Sequence, residues 1–231
     1  MKSTRFSFLG FVLLMCLVFF SGLLVFSPST AQATPVDGTI IYDLTSDHMT
    51  GGAGTPPFGT VTLLQNGTTV DVTVHLNGGN YFVLTGAGDS QDFKFNATGV
   101  VVGDITINQN ATYNNGSQLI ADTGAFNGDG TGSFGFGITG VGQKDGAAGE
   151  FNTDIIFHVA NATIADLTVP NAAGNVFVVD MLSGQTGNTG PVDASTLTSV
   201  VNGNAPEPAT MILLGSGLLG LAGYARKRMK K

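Results

Sequence analysis

The chain has 231 residues, of which 34 are glycine, and it carries one cysteine, no tryptophan and a formal net charge of −7. That length suits one domain of ordinary size or two small ones, and a lone cysteine, Cys16, excludes an intrachain disulfide framework or a thiolate metal cluster. Positions 34–204 hold fifteen acids against two bases, Lys94 and Lys144, a net −13 that repels phosphates and so excludes nucleic acid as a partner.

In chain order, residues 1–33 read as a secretory signal helix. Lys2 and Arg5 give a positive start, an apolar stretch follows, and Ala31-Gln32-Ala33 is a small-x-small cleavage site. Cleavage is expected after Ala33, with an uncleaved anchor as the alternative because the apolar stretch is long for a signal. Cys16 follows Met15, which is too large for the position before a lipoprotein cysteine, so Cys16 reads as part of the signal's apolar core.

Residues 34–204 form the expected ectodomain. Glycine, threonine, asparagine and valine dominate, and the residues that fill amphipathic helices are scarce. Within 58–84, Val70, Val72, Val74 and Leu76 alternate with Asp71, Thr73 and His75, the period of a strand with one dry and one wet face. Asn66-Gly67 tolerates positive φ between two such runs and predicts a hairpin. Further strands are expected at 39–44, 92–98, 100–107, 133–138, 151–160, 162–169 and 175–182. Over 195–201 the sequence leaves a short helix open, soon ended by Gly203. Short strands with turns every 8–12 residues point to an all-β fold, an antiparallel β-sandwich of jelly-roll-like type. The glycine-rich stretch 122–150 reads as a long functional or mobile loop.

Candidate sites in this region are weak. Asp122, Asp129 and Asp145 offer carboxylates for calcium, the one cofactor the sequence accommodates, but "NGDGTG" at 127–132 lacks the alternating ligands of a calcium loop, so they read as solvated acids. His48, His75 and His158 form no metal-binding pair at helical spacing and flank no nucleophile motif. Glu150 and Asp154, four residues apart on one expected strand, stand about 13 Å apart by strand rise, too far for a glycosidase pair. No catalytic residue is assigned and no enzymatic activity is expected. Tyr42, Tyr81 and Tyr113 are the aromatics a sugar site would need, though strand and core roles suit them better.

Residues 205–231 differ in kind. Pro206-Glu207-Pro208 precedes an uncharged run at 209–224, and Arg226, Lys227, Arg228, Lys230 and Lys231 close the chain. As a helix the run reaches about 24 Å, short of the ~30 Å hydrocarbon core, so it is a marginal transmembrane helix. The basic cluster holds its end on the cytoplasmic side and leaves the acidic ectodomain across the membrane. Two prolines keep Glu207 extended ahead of the helix, where a cationic reader can meet its carboxylate.

These three features, in this order, resemble the PEP-CTERM sorting signal of Gram-negative bacteria. The resemblance implies processing by exosortase, a membrane-embedded cysteine protease, after transient residence in the inner membrane. The same segment is similar to one labelled the C-terminal domain of ice-binding proteins. Upstream, "PPFGTVTLLQNGTTVDVTVHL" and "GNTG" at 187–190 resemble the ectodomain of one group of such proteins, found in exopolysaccharide-rich surfaces and biofilms. The expectation is an exported surface or matrix protein with a structural or adhesive role. A secreted carbohydrate-binding module or carbohydrate-active enzyme is the alternative. Ice binding is weaker, because the threonines follow strand alternation without a fixed repeat.

Overall fold

The computed structural model describes residues 38–86, 90–109 and 118–202. The signal segment with Ala31 and Ala33, Tyr113, and the whole tail (Pro206, Glu207, Pro208, the 209–224 helix and the basic cluster) lie outside the described residues.

The described chain is mostly strand, arranged in two antiparallel sheets. The strands are β1 Gly38–Leu44, β2 Ser46–Asp47, β3 Gly59–Asn66, β4 Thr69–Leu76, β5 Tyr81–Phe82, β6 Phe93–Phe95 and β7 Ile105–Ile107. They continue with β8 Leu119–Asn127, β9 Ser133–Gly140, β10 Ile155–Ala160, β11 Phe177–Leu182, β12 Thr189–Ala194 and β13 Leu197–Asn202. One sheet runs β13-β1-β3-β4-β10-β7, and the other β2-β12-β11-β6-β9-β8 with β5 beside β11.

The β3–β4 hairpin follows from its alternation: Val61, Leu63, Val70, Val72 and Val74 are buried, and Thr60, Thr62, Asp71 and Thr73 lie on the reverse face. Register pairs Asn66 with Thr69, so the turn is Gly67-Thr68, one residue later than the expected Asn66-Gly67. Gly67 has φ 60, which a side chain would resist at the first central position of such a turn.

Aromatic rings join the two sheets. Phe157 of β10 lies 5.6 Å from Phe95 and 6.0 Å from Phe93, both on β6, and Tyr42 of β1 meets Phe177 of β11 edge-on at 5.2 Å. These belong to one continuous buried cluster with residues from both sheets. Tyr42, a candidate sugar platform by sequence, is therefore a core residue.

Several expectations are corrected. The stretch 162–169 holds a one-turn helix, α1 (Ile164–Leu167), instead of a strand. Asn161 takes φ 54 and breaks the extended run, and the Asp166 carboxylate accepts from the Thr163 N–H and hydroxyl at 2.8 and 2.7 Å, a local cap that favours a turn. Buried Gln65 clamps this turn: its Oε1 accepts from Ile164 N–H at 2.9 Å and its amide donates to Ala162 O at 3.1 Å. At 100–107, only Ile105–Ile107 is strand, because residues 102–104 wind into a 3-10 turn with Asp104 accepting from Val101 N–H at 3.0 Å. Residues 197–202 form strand β13 along β1, not a helix. The 122–150 stretch instead forms the β8–β9 hairpin and a 3-10 turn at Gly146–Gly149: Gly137 pairs with Asp122 inside the ladder, and Gly124 and Gly135 lie at the register shift between Thr123 and Phe126.

Candidate functional site

Alternation in β6 and β11 produces an unusual cluster. Phe93, Phe95, Phe177, Val179 and Met181 point into the inter-sheet core, so Lys94, Val178 and Asp180 point to the reverse face of the second sheet. Asp92 extends the same ladder: its N–H donates to Ile138 O at 2.8 Å and its carbonyl accepts from Asp180 N–H at 3.0 Å. Asp92, Lys94 and Asp180 are all 0% exposed, where charged side chains almost never sit without partners.

The partners are specific. Lys94 Nζ lies 3.1 Å from Asp180 Oδ1, and the Thr85 hydroxyl donates to Asp180 Oδ2 at 3.0 Å. Asp92 Oδ1 accepts from Gln143 Nε2 at 2.7 Å, and Gln143 is itself fixed by donating to Gly149 O and accepting from Gly140 N–H. Gly137, the register partner of Lys94 on β9, leaves room for Gln91, with whose side chain a Cβ there would collide. Burial pushes the Asp92 carboxyl up to about 7; the bond from Gln143 and the ammonium of Lys94 oppose this, and the neighbouring Asp180 adds to it. With Asp92 protonated, the cluster holds one carboxylate against one ammonium. Sequence reading passed over all three residues. Their signal was a lysine between two phenylalanines, "DFKF", in a chain with almost no other internal base.

Each of the three histidines is paired with an aspartate. His75 Nδ1 lies 2.7 Å from Asp154 Oδ1, and His158 Nδ1 lies 2.7 Å from Asp71 Oδ1, its cross-strand neighbour. Both pairs sit on the reverse face of the first sheet, partly open to solvent, where such pairs contribute about 0–1 kcal/mol. His48 Nε2 approaches Asp193 Oδ2 at 2.5 Å, and Ser46 Oγ stands 3.5 Å from the same nitrogen. A serine relay needs hydroxyl and carboxylate on opposite ring nitrogens, so this trio is not aligned as one. Burial raises the Asp193 carboxyl, against the hydrogen bond and charge of His48.

The acids singled out for calcium are not brought together. Asp122 is in mid-β8 opposite Gly137, Asp129 is in the turn between β8 and β9 with φ 31, and Asp145 lies beyond the other end of β9, bridged to Leu84. Among the described residues, no three histidine, cysteine, aspartate or glutamate side chains are gathered as metal ligands. Asp154 precedes β10 and is held by His75, apart from the expected pairing with Glu150. Between edge strands β7 and β8 a groove of about 350 Å³ is lined by Val102, Ile105, Ile107, Leu119 and Ile120. Among the described residues, no helix is long and apolar enough to cross a membrane.

The described fold defines a class, a mostly-β chain built on antiparallel sheets, and the C-terminus supplies a more particular assignment. Residues 204–228 match the PEP-CTERM protein-sorting motif, consistent with an exosortase substrate. The motif implies an exported protein sorted through the membrane. No curated protein and no solved structure matches the chain.

Proposed function

We propose that this chain is exported, held briefly in the inner membrane by its C-terminal helix, cut by exosortase and delivered to the outer surface or the extracellular matrix, where it has a structural or adhesive role. The observation that carries the reading is the sorting-motif match at 204–228, in which Pro206-Glu207-Pro208 stands directly before an apolar run and a basic end. The working part is then the β domain, which we read as a jelly-roll-like sandwich. Supporting this, β1 passes into β2 and β12 into β13 by crossing between sheets, while β1 pairs with β13 and β2 with β12. An adhesive role is supported by the reverse face of the first sheet, where Thr60, Thr62, Thr73, Asp71, His75 and His158 present hydrogen-bonding groups on one broad surface, suited to a hydroxyl-rich polymer.

Replacing Pro206, Glu207 and Pro208 together by alanine tests the sorting step. The full-length variant is expected to accumulate in the membrane fraction while the wild type is shortened and released. Normal maturation of the variant overturns the reading.

A further inference from the structure

The buried cluster on β6 and β11 has the composition of a condensation site as well as that of an ion pair. An amide forms from an amine and a carboxyl when the two are held in contact, kept from water, and served by a third group that can both accept and donate a proton. Lys94 Nζ and Asp180 Oδ1 are 3.1 Å apart and fully buried. Thr85 donates to the other oxygen of Asp180, Oδ2. Asp92 shares the same dry face, and its Oδ2 has no hydrogen-bond partner among the described residues. A plain buried ion pair does not explain the second acid, since burying a pair is already costly and a further buried carboxyl with one oxygen unpartnered adds to that cost.

We propose that Lys94 and Asp180 are joined by an intramolecular amide bond, formed autocatalytically with Asp92 as the proton-handling group. In the dry site the Lys94 ammonium passes a proton to the Asp180 carboxylate, leaving a neutral amine and a neutral acid. Nζ then attacks Cγ of Asp180. Oδ2 takes up the negative charge under the Thr85 hydroxyl, Asp92 accepts the proton leaving Nζ, and it returns a proton to Oδ1, which departs as water. One C–N bond forms, one C–O bond breaks, one water is released, and no oxidant or reductant is required. The raised protonation range of Asp92, near 7, allows it to hold a proton at neutral pH and still exchange it. Gln143 sets the orientation of Asp92.

The product would tie two neighbouring strands covalently and close the chain between positions 94 and 180, in a protein whose sole cysteine is Cys16. A bond of this kind withstands reductants, and it limits the unfolded chain as a disulfide does.

The sequence provides a direct test. Between Arg5 and Arg226 the only trypsin sites are Lys94 and Lys144. The purified full-length protein is denatured, digested and analysed by mass spectrometry. The expected result is no cleavage at Lys94, and a linked species in which the peptide ending at Lys144 is joined to peptide 145–226, one water lighter than the two combined. Free cleavage at Lys94, with peptide 145–226 at full mass, overturns the proposal and leaves a buried ion pair. In Asp92→Asn the link is expected to be lost, and linkage at the wild-type level there overturns the role given to Asp92. The wild-type digest decides the main point even where the variant does not fold, and it does not depend on processing of the tail.

Discussion

A carboxyl placed as Asp92 is loses the water that would stabilise its charge, so the folded state binds its proton more tightly than the unfolded chain does. The unfolded value is about 3.9 and the folded one about 7. The stabilising contribution is therefore complete below the unfolded value and is lost as pH rises through 7. In urea titrations, the stability of the wild type relative to Asp92→Asn is expected to fall between pH 5 and 8 by roughly 1–3 kcal/mol. Asp193 is shifted in the same direction but stays in both proteins, so it cancels in the comparison. A flat difference would mean that Asp92 is not held protonated. Gly137 offers a steric counterpart. Gly137→Ala is expected to lower stability by roughly 1–3 kcal/mol because the added methyl meets Gln91. Adding Gln91→Ala should restore most of that loss in thermal melts.

Among the elements, β10 and β6 carry the contact between sheets. Phe157 packs on Phe93 and Phe95, so Phe157→Ala is expected to cost about 3–5 kcal/mol, read as a lower urea midpoint. The expected strands hold β1, β3, β4, β9, β10 and β11, and also the short β6 and β7 inside the longer runs expected at 92–98 and 100–107. Others were hidden for local reasons. Strand β12 contains Pro191, which normally argues against a strand. It is tolerated because the N–H and C=O of its partner Asp180 bond to Val83 and Asp92, away from β12, so no ladder donor is missed at Pro191. Strand β8 lay in a stretch whose glycines suggested a loop, and its burial pattern is mostly exposed, so it shows no alternation. The α1 turn was hidden because Ile164 and Leu167 fitted an expected strand, although Thr163 and Asp166 stand at capping spacing.

For the molecule as a whole, the prediction with the widest reach is the sorting one: without Pro206, Glu207 and Pro208, the chain should remain in the membrane at full length. It rests on order along the chain, which needs no folding to be read, and cell fractionation followed by immunoblotting checks it. The sequence by itself determined the address at the C-terminus, the acidic character of the domain and its β class, because motif order, charge and a period of two are local properties of the chain. Only the tertiary structure decided which residues meet. Lys94 with Asp180, His158 with Asp71, His75 with Asp154 and His48 with Asp193 are each far apart in the chain. They are joined by sheet register and by loops that close over the second sheet, and these depend on how the two sheets fit together. Alternation placed Lys94 opposite the phenylalanines, on a face that a lone sheet would leave in water. Burial of that face beneath Thr85 and Gln143 turned an ordinary polar position into a dry one.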